Sequence, residues 1–100
     1  DFLDPFTYMN LFTTDSGNNW TGYSNEKYDT LVWDTASKLA SDNVARYNNF
    51  LEAEKLLFED AVIAPVYQAS RAQLVSEKVD GVFVNPFGAT YEYKWANVAE

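Results

Sequence analysis

Glu54-Lys55-Leu56-Leu57-Phe58-Glu59-Asp60-Ala61-Val62-Ile63-Ala64-Pro65-Val66-Tyr67 is the stretch in which the chain changes its period. Before Asp60 the apolar residues recur at helical spacing. After it comes a short apolar run rich in β-branched residues, which reads as a strand over 62–67. Pro65 has no N–H to give to a ladder, so it belongs at an edge, a strand end or a bulge. Working backward, Asp42 is a good cap for a helix over about 43–60, whose face would hold Tyr47, Phe50, Leu51, Leu57, Phe58 and Ala61. Glu54 interrupts that face and reads as a hydrogen-bonded or partly solvated carboxylate.

Further back, Ser24 or Asn25 caps a helix starting near Glu26, with Tyr28, Leu31, Val32, Thr35 and Leu39 along one side, and Ala40-Ser41-Asp42 breaks it. Asp15-Ser16-Gly17-Asn18-Asn19 is turn chemistry within a polar loop over 13–23. Pro5 suits the first turn of a short helix over 6–12. Working forward, 72–75 and 79–84 are short extended candidates and 85–88 is a loop. Residues 91–98 alternate as a last strand, with Tyr91, Tyr93, Trp95 and Asn97 on one face. The order is two helices followed by several short strands, an α+β piece. Short strands without evident partners imply that part of their sheet lies elsewhere.

Composition narrows the function. The chain has 100 residues and a net charge of −8, which disfavours a phosphate backbone as partner, so no nucleic acid is expected. It has no Cys and no His, which removes thiolate zinc sites, Cys nucleophiles and His-based triads. No metal site is expected: Asp15, Asp29 and Asp34 lack the spacing of a calcium loop. No phosphate-cradling glycine loop occurs, and no cofactor is expected. The seventeen aromatic residues suit either a core or a ligand cleft. Glu52, Glu54, Glu59 and Asp60 crowd one helix, but a glycosidase-like acid/base pair must flank a cleft, and nothing in the sequence indicates one. Asn19-Trp20-Thr21 is formally a glycosylation acceptor. The start at Asp1, without Met, is read as that of a fragment or a processed product.

One ordered set of segments carries more. Asp1-Phe2-Leu3-Asp4-Pro5 is followed by Asn18-Asn19-Trp20-Thr21-Gly22-Tyr23-Ser24-Asn25 and Tyr28-Asp29-Thr30-Leu31. Then come Arg46-Tyr47, Ala53-Glu54-Lys55-Leu56-Leu57, the run 60–67, and Leu74-Val75 with Val79-Asp80-Gly81. In order and spacing this resembles the C-terminal part of the oligopeptide-binding proteins, the family 5 extracellular solute-binding proteins of ABC importers. Residues 83–100 match weakly. The resemblance implies a fragment of a periplasmic-binding-protein-like (type II) two-lobed α/β fold. Residues 1–61 would be a distal-lobe segment, and residues 62–100 strands returning toward the first lobe.

The implied function is capture of extracellular oligopeptides in an interlobe cleft, without catalysis, for delivery to membrane permease subunits. The protein would work outside the cytoplasmic membrane of a bacterium, in the periplasm or lipid-anchored at the cell surface. By resemblance Asp1 pairs with the ligand α-ammonium, Asn18 lies near the cleft, and Tyr67 and Gln68 pass the side-chain pockets. Strand alternation would turn only one of the last two inward. Asp29, Arg46 and Glu54 match as structural residues. The isolated segment should expose apolar surface, self-associate, and bind peptide poorly beside its own α-amine. The alternatives are another solute in the same family (dipeptide, signalling peptide, nickel complex or sugar), a glycosidase-like enzyme using the acidic helix, and a structural interaction module.

Overall fold

A computed structural model describes residues 2–85 and 88–99. It falls into two compact units, Asp1–Val66 and Tyr67–Glu100. The first is helical. Helix α1 (Phe6–Met9) runs into a 3-10 turn (Asn10–Phe12), then come α2 (Glu26–Ala36) and α3 (Asn43–Glu59).

Each long helix begins where its cap residue sits. The Asn25 side chain, on extended backbone, accepts the Tyr28 N–H at 3.1 Å. The Asp42 carboxylate accepts the Ala45 N–H at 3.0 Å. Both satisfy a first-turn donor that lacks an intrahelical partner. Glu26 and Asp29 add negative charge at the positive end of α2.

Helix α2 stops at Ala36, short of the break expected at residues 40–42. Ser37 donates back to the Trp33 carbonyl, and Leu39 N–H reaches the Asp34 carbonyl, closing the turn. Tyr28, Val32 and Thr35 are buried, as their spacing predicts. On α3 the buried positions are Phe50, Ala53 and Leu57. Tyr47, Leu51, Phe58 and Ala61, expected on that face, are exposed. The small Ala53 lies outside the expected face, and its burial reflects packing against Tyr28 and Val32 of α2 rather than its own hydrophobic weight. Tyr28, Val32, Ala53 and Leu57 form the core, with Phe6, Met9, Phe12 and Tyr23 half-buried against it. The Tyr28 hydroxyl is paired inside it, donating to the Met9 carbonyl at 2.6 Å.

The end of α3 corrects the strand expected over 62–67. Ala61 takes φ 53°. Its N–H bonds the Phe58 carbonyl, and Val62 N–H bonds the Leu57 carbonyl at 2.9 Å. That is a Schellman closure, with Ala where glycine is usual. Val62 and Ile63 then pack on the helical core instead of entering a sheet. Residues 64–75 are exposed and carry no strand, so the strand expected at 72–75 is absent as well. β-branched side chains favour a strand only where another strand supplies the ladder.

In the second unit the segments read as 79–84 and 91–98 pair antiparallel as two short ladders. β1 (Val79–Asp80) pairs with β4 (Asn97–Val98), and β2 (Phe83–Val84) with β3 (Tyr91–Glu92). Between the ladders two residues, 81 and 82, face four, 93–96. The longer side folds into a turn held by Ala96 N–H on the Tyr93 carbonyl. This turn breaks the alternation expected through Trp95 and Asn97. Gly81, at φ 71°, is required here: a Cβ would lie 2.0 Å from the Trp95 carbonyl oxygen.

Candidate functional site

The segment that opens the chain is turned by Asp4. Its N–H donates to the Phe2 carbonyl at 2.9 Å, and its carbonyl accepts from Thr7. Its side chain serves two donors. Oδ1 accepts the Phe6 N–H at 2.9 Å and Oδ2 accepts from Arg46 Nη2 at 2.7 Å. Partial burial would raise the Asp4 pKa, but the Phe6 N–H and the Arg46 guanidinium outweigh it and hold the carboxyl below its ordinary value. Arg46 also donates from Nε to the Thr35 carbonyl at 2.8 Å. The guanidinium therefore joins the opening turn to the end of α2, from a position on α3. This agrees with the structural role the resemblance implies for Arg46, and the hold on Asp4 adds to it.

The loop between the 3-10 turn and α2 is held by side chains rather than by a ladder. Asn19 Nδ2 donates to the carbonyls of Thr13 (3.1 Å) and Tyr23 (2.7 Å), and its Oδ1 accepts from Thr21. Asp29 accepts the Thr14 N–H, so it anchors the loop as well as charging the first turn of α2. The Tyr23 hydroxyl and the Asn25 amide both donate to Asp60 Oδ2, at 2.7 and 3.3 Å. Partial burial, then the bond to Asp60, push the Tyr23 phenol up to about 12. The loop is thereby tied to the residue just before the left-handed turn that ends α3.

The residues expected to touch ligand stand as follows. Asp1 lies outside the described residues. Asn18 is exposed, and among the described residues its side-chain amide makes no hydrogen bond, so it is free for another partner. Shaping the loop falls to its neighbour Asn19. Tyr67 and Gln68 belong to the second unit, and both are exposed on a segment without strand pairing, so no ladder fixes one inward and the other outward. Trp20, beside the Asn pair, is 92% exposed. The sequence missed Asp4, Tyr23 and Asp60 as a framework, since 42 and 37 positions separate the partners and no local pattern links them.

Glu52 on α3 lacks the surroundings of a general acid. Glu52 is exposed and bonded to Lys55, whose ammonium holds it below the usual carboxylate range. A general acid needs the opposite shift. Among the described residues, no group of three or more acidic side chains is placed to hold a metal ion, and no helix is long and apolar enough to cross a membrane.

No protein-family model matches the chain. Individual proteins do. The chain is 34% identical over 97 residues to the dipeptide-binding protein DppE of Bacillus subtilis, covering 97% of this chain and 17% of the relative. It is 33% identical over 81 residues to the periplasmic oligopeptide-binding protein OppA of Salmonella typhimurium, covering 81% of this chain and 14% of the relative. Among solved structures, the substrate-binding domain of an oligopeptide ABC transporter from Bacillus anthracis superposes over the whole chain with a TM-score of 0.84 and 34% identity, matching 20% of that chain. The peptide-binding pheromone receptor PrgZ does so at 0.74 and 33%, matching 18%. The chain thus spans a fifth or less of the proteins it matches. Shared sequence and shared backbone over nearly every residue make this chain a homologous segment of the oligopeptide- and dipeptide-binding proteins, the substrate-binding proteins of ABC transporters.

Proposed function

We propose that the protein containing this segment captures oligopeptides outside the cytoplasmic membrane and hands them to the permease subunits of an ABC importer, without catalysing a reaction. The superposition on the substrate-binding domain of an oligopeptide ABC transporter, over 100% of the chain, carries this reading. Relatives named as periplasmic support the location. Residues 1–61 belong to the distal lobe, and residues from 62 onward lead back toward the first. The Schellman turn at Ala61, which ends the helical run, supports a change of direction there.

Peptides of varied sequence share a backbone and an α-ammonium, so a tolerant receptor reads those. Asp1 holds the ammonium, Asn18 bonds ligand backbone directly or through water, and Tyr67 and Gln68 border the side-chain pockets. The exposure of Asn18 supports its share of this. A dipeptide ligand, the alternative within the same family, is favoured by the relative DppE, which is named for dipeptides. Val66, Tyr67 and Leu74 are 87%, 83% and 101% exposed, which favours self-association of the segment when isolated.

The test is calorimetric titration of the complete protein with a short free-amine peptide and with its N-acetylated form, repeated in Asp1→Asn. Breaking a buried ion pair costs about 3–5 kcal/mol. Acetylation and Asp1→Asn should each weaken binding on that scale, and together cost little more than either alone. Indifference to acetylation would refute the role of Asp1. Absence of any peptide binding would refute the ligand class.

A further inference from the structure

Helix α3 is apolar on two sides. Phe50, Ala53 and Leu57 are its buried side. Away from them, Val44, Tyr47, Leu51 and Phe58 are 74%, 61%, 40% and 45% exposed. These four follow one another at intervals of three, four and seven residues. That is the spacing of a seam on which a helix receives another element, and it runs for about 21 Å along the axis. Single exposed apolar side chains are ordinary, whereas a stripe of them along one helix marks a contact surface. The borders of the stripe are acidic. By the helical period Glu52 and Glu59 lie along one side of it and Glu54 along the other. Lys55, the lysine of this helix, is bonded to Glu52. Arg46 is turned away, to Asp4 and the Thr35 carbonyl. Among the described residues Glu54 and Glu59 have no ion pair.

We propose that this stripe is the face by which the protein docks onto the permease subunits of its importer, and that the surface it meets is apolar with a border of Lys or Arg. The docking role rests on the proposed capture of peptides, which requires a second protein to be met and released. Charge separates the possible occupants. A second copy would set the same acidic border against this one, and the net charge of −8 adds to the repulsion. An anionic lipid surface is disfavoured for the same reason. A basic border is attracted from a distance and speeds encounter, while the apolar strip supplies the contact. A narrow strip with a charged rim suits an interface that must also let go. None of Asp1, Asn18, Tyr67 and Gln68 lies on α3, so docking and peptide capture are separable by substitution.

The experiment compares the complete protein as wild type, Tyr47→Ser with Leu51→Ser, and Glu52→Lys with Glu59→Lys. Binding to the permease subunits in lipid nanodiscs is measured at low and high salt, with empty nanodiscs of the same lipid as the second probe. Calorimetric affinity for a free-amine tripeptide and thermal unfolding are recorded for each variant. The serine pair should weaken docking on the order of tenfold. The lysine pair should weaken it at low salt and flatten its salt dependence. Peptide affinity and Tm should stay those of wild type in both. Docking unchanged in both variants would overturn the inference. So would equal binding to empty nanodiscs, which would make the stripe a lipid contact. A lower Tm in the serine pair with docking intact would mean that another part of the same protein covers the stripe, and would overturn it too. A wild type that binds the tripeptide but not the permease subunits overturns the docking role alone. One that binds no peptide overturns the proposed capture, and the docking role with it.

Discussion

Ala61 sits at φ 53° in the turn that ends α3, and replacing it with glycine should stabilise the helical unit. The left-handed conformation costs an L-residue about 1–2 kcal/mol, because Cβ crowds the following carbonyl. Glycine is free of that cost, but its extra freedom in the unfolded chain returns about 0.4–1 kcal/mol of it. The Ala61 side chain is exposed, so its removal forfeits no packing. The two Schellman bonds, Ala61 N–H to Phe58 and Val62 N–H to Leu57, are backbone bonds and survive. The net gain should be about 0.5–1 kcal/mol, a rise in Tm of roughly 3–6 °C for a unit of this size. Ala61→Val should move the other way, since a β-branched residue tolerates positive φ least. Thermal unfolding followed by far-UV circular dichroism reads both. A glycine variant no more stable than wild type, or a valine variant equal to it, would mean that α3 does not end on a left-handed residue. The change of direction assigned to residue 61 would then lose its basis.

Gly81→Ala places a methyl 2.0 Å from the Trp95 carbonyl oxygen, at φ 71°. Strain and overpacking together should cost about 2–5 kcal/mol within the second unit, seen as faster amide exchange at Ala99, whose N–H bonds the Lys78 carbonyl; unchanged exchange there would contradict the close approach. At alkaline pH, Tyr23 should contribute a loss of stability. Its folded pKa is raised, so the stabilisation is whole below the unfolded value of 10.0 and is lost as pH climbs toward about 12. Solvent screening reduces this to roughly 1 kcal/mol. Tyr23→Phe should flatten that part of the stability–pH curve, and an identical curve for the two proteins would rule out the bond to Asp60.

The helices were legible because their determinants are local. Asn25 and Asp42 cap within three residues of the donors they satisfy, and Tyr28, Val32 and Thr35 recur at the helical period. The order and spacing of the segments from Asp1-Phe2-Leu3-Asp4-Pro5 to Val79-Asp80-Gly81 likewise disclosed the family without any structure. The strands were legible only in part. The pairing partners of 79–84 lie in 91–98, inside the chain, and those ladders form. Val62–Tyr67 has the side chains of a strand and no ladder to join, and Val62 and Ile63 are drawn onto the helical core instead.

Sequence by itself therefore determined where the helices start, which side of α2 is buried, and which proteins this chain descends beside. Tertiary structure alone decided that Ala53 is core and Tyr47 is not, that Asn19 rather than Asn18 braces the loop, and that Arg46 holds Asp4. The physical reason is the range of the interactions. A cap or a helical stripe is settled within a few residues. A carboxylate chooses its guanidinium, and a small side chain its neighbour helix, only after distant parts of the chain have met.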